Sequence, residues 1–362
     1  MTFRKLLHLR GCCLGSVRIF YEFFASGLDT MLKHFAAKLK ARALGQLQKD
    51  SRDTLLLQGR IASWLVRSKE SITSLQDVEF KVFSQFGEDG ILDWIIERSQ
   101  IPDHLHSFIE FGVELYEEAN TRFLLENRNW HGLIIDGNSQ LETKLRESDL
   151  AWRHILKAQS AFVTRENINQ IFTDCGFTGE IGLLSIDIDG NDYWVWEVIE
   201  SVTPIITICE YNAVLGDLHP IVIPYDPAFD RSLPNYHNLY CGASIAALQS
   251  LAKRKGYTFL GTNSAGNNAF FIRNDYASRF SRTVIANIAA SPSKFRESRD
   301  ASNSLSFAEG AARQALISSL PVINIETGNR VTISSLGNLY SEDWLQHARR
   351  LIGTQSVIAE GK

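Results

Sequence analysis

A chain of 362 residues that is 44% hydrophobic and 22% charged is long enough to bury a full core in one large domain with appendages. Its formal net charge of −4 argues against nucleic acid as the main partner. Five cysteines, Cys12, Cys13, Cys175, Cys209 and Cys241, are odd in number and lack C-x-x-C spacing, which points to a reducing, cytoplasmic compartment and no zinc site.

Residues 1–78 read as a helical extension. The stretch has no proline, and Leu28, Met31, Leu32, Phe35 and Leu39 recur at helical spacing beside Lys33, Lys38, Lys40 and Arg42. Charge is unevenly spread: residues 1–80 hold 13 Lys/Arg against 7 Asp/Glu, and the remainder holds 24 against 34. A basic amphipathic helix of this kind suits either peripheral contact with an anionic membrane or packing on its own domain or a second copy in a homo-oligomer. Arg10 and Arg18 interrupt the apolar run that a signal peptide needs. No later stretch approaches about 18 uncharged apolar residues, so no transmembrane segment is expected.

Residues 79–276 alternate short apolar runs with helical ones, which predicts a parallel sheet covered on both faces. Expected strands are Phe108–Phe111, Leu133–Asp136, His154–Ala158, Ile181–Ile188 and Ile205–Cys209, the last one set off by Pro204. Helices are expected over Asn120–Asn127, over Asn191–Glu200 (capped by Asp189 or Asn191) and over Ala243–Lys255. A hairpin then follows, Tyr257–Gly261 and Ala269–Arg273. A parallel sheet that ends in an antiparallel hairpin is unusual for a dinucleotide-binding fold. Residues 213–242 form an insert holding four of the eight prolines, placed at the carboxyl end of the strands, where it reads as a substrate cap or a structural loop. In the appendage 277–362, Ser291–Ser304 reads as a loop and Leu320–Ile325 with Val331–Ile333 as a small hairpin, without evident chemistry.

The most informative stretch runs from Phe108 to Asn138. Glu110 and Gly112 close the first strand, and Asp136 stands at the tip of the second with Asn138 just beyond. An acid at that tip can grip two ribose hydroxyls, and a glycine lets the backbone come close to a ligand. A dinucleotide fingerprint needs G-x-G-x-x-G, whereas one glycine stands here, followed by Glu114, Glu117 and Glu118. Those carboxylates would repel a pyrophosphate and are tolerable beside a sulfonium cation, which disfavours an NAD-dependent oxidoreductase.

The run E-x-G, the later Asn120-Thr121 and N-W-x-G-L-I-I-D resemble the class I S-adenosylmethionine-dependent methyltransferases. Ser84-Gln85-Phe86-Gly87-Glu88-Asp89-Gly90 and Ile186-Asp187-Ile188-Asp189-Gly190 are similar to the FkbM-type family within them, over roughly residues 80–275. Relatives usually carry a glycine where Leu115 and Tyr116 stand. The resemblance implies an α/β fold: a Rossmann-like class I methyltransferase sheet, mostly parallel with a C-terminal antiparallel hairpin, here with the helical N-terminal extension. It implies S-adenosylmethionine as cofactor, with Glu110, Gly112, Asp136 and Asn138 around it, and a small-molecule or saccharide oxygen as methyl acceptor.

Asp187 and Glu210 close neighbouring strands, with Asp189 and Asn212 two residues further along. Oxygen ligands of this kind suit Mg2+. The set is similar to that of the catechol-type O-methyltransferases, although Glu-Tyr-Asn replaces their adjacent acid and amide. Asp187, Glu210 and Asn212 are therefore the metal candidates. The alternative is that Asp187 orients cofactor or substrate while Asp189 and Asn191 cap the helix. His219 is a candidate general base alongside Asp187, and His237 is a second one. A catalytically inert binding or assembly module on the same fold is the open alternative to an enzyme.

Overall fold

The computed structural model describes residues 34, 38, 40, 46 and 50–359, which divide by their contacts into units 1–58 and 59–362. In the first unit every described residue is helical. The stripe from Leu28 to Leu39, with Cys12 and Cys13, lies outside the described residues. Among the described residues, no helix is long and apolar enough to cross a membrane.

The second unit opens with the helical residues 59–67 (α1) and continues through α2 (Glu88–Ser99) into a seven-stranded sheet. Its strands are β1 (Ser107–Phe111), β2 (His131–Asp136), β3 (Leu156–Ser160), β4 (Gly179–Ile186), β5 (Val202–Glu210), β7 (Tyr257–Thr262) and β8 (Asn268–Arg273), while β6 (Ile221–Val222) lies elsewhere. The order is β3-β2-β1-β4-β5-β8-β7, with the first five strands parallel and β8 antiparallel to both β5 and β7. All five residues of β1 are buried, as expected for a parallel strand covered by helices on both sides. Successive residues serve opposite faces: Phe108, Leu183, Ile206 and Phe270 join one apolar cluster, and Ile109, Leu184, Cys209 and Phe271 the other.

The sequence expectations fare well here, hairpin included, with shifts at the strand ends. β3 starts two residues late because it pairs with β2 only from Gly132↔Leu156. β4 ends at Ile186, and Asp187–Asp189 turn out of the sheet, Asp189 with a left-handed φ of 59°. Pro204 lies inside β5 and does not precede it. Pairing with β8 begins only at Ile206, so the missing Pro204 N–H breaks no bond on that side, and its carbonyl accepts from the Tyr257 hydroxyl at 2.6 Å.

The insert and the C-terminal residues build one substructure together. β6, from the insert, pairs with β9 (Pro321–Asn324), which pairs with β10 (Arg330–Thr332), all antiparallel. Leu215, Ile221, Leu239, Ile317, Val322 and Leu339 form a third apolar cluster beneath this small sheet. α9 (Ala311–Ile317) belongs to it, and α10 (Glu342–Ala359) follows.

The Ser84–Gly90 stretch is explained by two buried carboxylates. One Asp89 oxygen accepts from the backbone N–H groups of Val82, Phe83 and Ser84, at 2.7, 2.7 and 2.9 Å, and from the Ser84 hydroxyl. Glu88 accepts from the N–H groups of Phe86 and Gly87 and from the amides of Asn263 and Asn268, tying the loop to the β7–β8 turn. Asp89→Ala would strand three buried N–H groups. We expect a loss of about 2–4 kcal/mol in a urea melt, and an unchanged midpoint would mean that packing alone holds the loop.

Candidate functional site

In an open sheet of this kind, ligands bind beyond the carboxyl ends of the strands at the point where strand order reverses, here between β1 and β4. The two exits touch. Gly112 has φ +83°, and a Cβ there would lie 1.5 Å from the carbonyl oxygen of Asp187. The glycine thus serves the contact between strand exits before it serves any ligand. After it, Glu114 and Tyr116 are both left-handed, at φ 49° and 62°, a conformation costing roughly 1–2 kcal/mol for a side chain. Tyr116 thus takes a backbone conformation that favours glycine. Its ring is buried and its hydroxyl lies 2.9 Å from Thr121 Oγ1, so tertiary contacts impose the turn that glycine would adopt freely.

Glu110 does not face a ligand as a free carboxylate. It is buried and accepts from the N–H groups of Asn120 and Thr121 and from the Thr121 hydroxyl, at 2.8, 3.0 and 2.6 Å. It anchors the far end of the 113–121 loop, and burial pushes its carboxyl above the usual range. Asp136 holds the near end, with one oxygen accepting from Glu114 N–H and the other from Asn138 N–H, each at 2.7 Å. A carboxylate has about four acceptor positions, so one on each oxygen stays available to the cavity that Asp136 lines. Asn138 is outside that cavity, because its amide oxygen accepts from Gln140 N–H and starts α4 (Leu141–Glu147). Gly137 and Phe162 take its place: the Phe162 ring, 60% exposed, stands over Gly137 and offers an apolar face.

The cavity has a volume of about 1280 Å³ and reaches from Asp136 past the exits of β4 and β5 to the insert. Asp187, Asp192 and Glu210 each present an oxygen within 4.8 Å of the others. Asp192 is already engaged, accepting from Ile188 and Gly190 N–H at 2.9 Å, which fixes the turn into α7 (Asp192–Val198). Asn191 is the N-cap by position but makes no side-chain cap bond, and Asp189 pairs with Arg231. Asp187 and Glu210 make no side-chain hydrogen bond among the described residues. Burial, then the Glu210 charge, raises the Asp187 carboxyl well above its ordinary range. Burial, then Asp192 and Asp189, raises Glu210 to about 8.

Asn212 does not join them. Its oxygen accepts from Val214 N–H at 2.9 Å and its nitrogen donates to the carbonyls of Leu239 and Cys241, so both ends of the amide hold the insert in place. His219 is outside the cavity, 2.9 Å from the Asn338 carbonyl, and His237 is turned to the Arg299 carbonyl at 2.8 Å. Neither is placed as a general base. What sequence reasoning missed is the opposite wall: Phe295, Arg296, Arg299, Phe307 and Arg313, all C-terminal, line the cavity together with Arg231. The one signal available was the alternation of basic and aromatic residues from Lys294 to Phe307. Cys175, Cys209 and Cys241 are free and buried.

No protein-family model matches the chain, and no curated protein matches it by sequence. Among solved structures, a S-adenosylmethionine-dependent methyltransferase from Clostridium acetobutylicum ATCC 824 is similar over 51% of this chain and 90% of its own, at 9% identity and a TM-score of 0.34. The CurJ carbon methyltransferase matches over 62% and 70%, at 12% identity and a TM-score of 0.35. For an O-methyltransferase family protein from Burkholderia thailandensis the match covers 51% of this chain and 58% of that one, at 12% identity and a TM-score of 0.30. These are distant likenesses, and the fold rests on the sheet itself: an α/β fold whose seven-stranded, mostly parallel sheet with antiparallel end strands is that of the class I methyltransferases.

The acid pair makes stability depend on pH. Both carboxyls titrate above their ordinary values of 3.8 and 4.5, so the folded chain keeps protons that the unfolded chain has released. The contribution is complete below those ordinary values and is lost as the pH rises through about 8. Its slope is at most about 1.4 kcal/mol per pH unit for each proton retained. Asp187→Asn should flatten the decline seen in urea melts taken in EDTA from roughly pH 5 to 9. Parallel slopes in mutant and parent would show that Asp187 keeps no extra proton in the folded chain.

Proposed function

We propose that the protein transfers a methyl group from S-adenosylmethionine to an oxygen of a small molecule or saccharide, as its resemblance to the FkbM-type family implies. The observation that carries this reading is the position of Asp136, at the tip of the second strand and facing a cavity that opens at the switch point of the sheet. Its spare acceptor positions suit ribose hydroxyls. Ala161–Val163, with the bare Phe162 ring, suits an adenine face. Glu114 and Glu117 line the same side, with Glu118 already paired to Lys81 at 3.0 Å, and favour a cation, which the sulfonium of the donor is. That sulfonium supplies the leaving group, so the protein's task is to position the acceptor and take up its proton.

Asp187 and Glu210 are the residues assigned to the proton. Whichever of the two carboxyls is ionised can accept the proton of an acceptor hydroxyl as the methyl group arrives. The same two carboxylates, with Asp192 beside them, would also hold a divalent cation such as Mg2+, which would lower the pKa of a coordinated hydroxyl.

Calorimetry with S-adenosylhomocysteine tests the cofactor assignment. The parent should bind, and Asp136→Ala should weaken binding tenfold to a hundredfold, about 1.5–3 kcal/mol. Equal affinity would remove Asp136 from the site, and no binding by the parent would favour an inert module. With an acceptor in hand, Asp187→Asn and Glu210→Gln should each abolish turnover while leaving S-adenosylhomocysteine affinity unchanged. Turnover that survives excess EDTA would assign the proton to the carboxyl pair alone; turnover restored by Mg2+ would assign it to a cation there.

A further inference from the structure

The cavity is electrically divided. Apart from Glu297, its acids come from the exits of β1, β2, β4 and β5, and its cations come from the insert and the C-terminal substructure: Arg231, Arg296, Arg299 and Arg313. Three of these four are answered within the protein. Arg231 pairs with Asp189 and donates to Asn238 at 3.1 Å, and Arg296 pairs with Glu309 at 2.8 Å. Arg299 donates to the Asn303 carbonyl at 3.0 Å and lies 3.5 Å from Glu297.

Arg313, on α9, is different. Its guanidinium makes no hydrogen bond or ion pair among the described residues, and its Nε is shut off from solvent without any acceptor. Burial is the main influence on it and lowers its pKa, with Tyr340, Cys241 and Glu297 opposing from a distance. Glu297 makes no ion pair with it, being taken by Asn238 at 2.9 Å and by Arg299. Arginine cannot shed its charge as lysine can, so the cation stays. Leaving a partly buried guanidinium unanswered is expensive for a fold, and the expense is recovered when an anion arrives. Beside it is apolar surface: Phe295 lines the cavity with Arg313 and stacks on Phe86, the ring centroids 4.7 Å apart.

Resting on the methyl-transfer reading of this cavity, we infer that the methyl acceptor is an amphipathic anion, a small molecule whose carboxylate or phosphate is bound by Arg313 while its apolar body lies against Phe295 and Phe86. A neutral saccharide would leave the guanidinium unanswered. The division of charge then has a use: the sulfonium of the donor settles in the acidic half and the acceptor's anion in the basic half. Each ligand is repelled from the other's place, and the acceptor hydroxyl is directed to the Asp187–Glu210 boundary between them.

Four probes test this on the full chain by calorimetry, with and without saturating S-adenosylhomocysteine. They are para-hydroxybenzoate and its neutral amide for a carboxylate, and phenyl phosphate and phenol for a phosphate. The parent should prefer an anion to its neutral partner by about tenfold or more, and the pair with the larger gap identifies the anion. R313Q should erase that preference while affinity for the neutral probes and for S-adenosylhomocysteine stays at the parent value, and R313K should restore part of it. R313Q should also be as stable to urea as the parent or more so, because it removes an unanswered charge. Equal binding of charged and neutral probes, no binding of any probe, or a destabilised or unfolded R313Q would each overturn the inference, the last by making the guanidinium structural. A parent that fails to bind S-adenosylhomocysteine would instead overturn the methyl-transfer reading, and the probes measured without it would still decide Arg313.

Discussion

The site depends on one steric constraint, the approach of Gly112 to the carbonyl of Asp187. With 1.5 Å between a hypothetical Cβ and that oxygen, β1 and β4 leave the sheet as near neighbours only because residue 112 has no side chain. Everything chemical follows from this closeness. The 113–121 loop must turn back at once, so Glu110 and Asp136 hold its two ends through backbone N–H groups. Asp187, one residue past β4, lies with Glu210 at the end of β5 so that their oxygens fall within 4.8 Å, and the two carboxyls stand in one another's field.

A second layer of organisation is chemical division of labour between parts of the chain. The seven-stranded sheet furnishes acids, which suit a cationic donor. The substructure built around β6, β9 and β10 furnishes arginines and phenylalanines, which suit something anionic and greasy. The two parts are nevertheless sewn together, since Val222, Ile323 and Trp344 of the substructure pack into the cluster under the sheet while Ile221, Val322 and Leu339 pack into their own.

Much of the fold was legible in the sequence because parallel strands buried on both faces are written as mainly apolar runs, and Phe108–Phe111, Leu133–Ile135 and Leu183–Ile186 are of that kind, broken only by Glu110 and Ser185. The hairpin was legible from the turn residues between Gly261 and Ala269. Strand ends were not, since pairing partners set them and periodicity does not. The site was half legible. Asp136, Asp187 and Glu210 could be placed from their strand tips, because a strand tip is a local property. Asn212 and the two histidines deceived for a related reason: each is a polar side chain near the site, and which backbone group consumes it is a question of tertiary contact. Arg313 was invisible because nothing nearby in sequence says that a helix a hundred residues beyond β5 folds back over the sheet.

That return of the chain has a consequence for synthesis. The sheet, with Asp136, Asp187 and Glu210 in place, is complete once Arg273 has left the ribosome, whereas the strand that pairs with Ile221–Val222 comes only with Pro321–Asn324. Domains form in the order in which their residues emerge. A nascent chain can thus close its seven-stranded sheet while the insert still waits for the strand that pairs with its edge. The small sheet closes only when β9 reaches Ile221–Val222, after the arginine-bearing segment has already emerged.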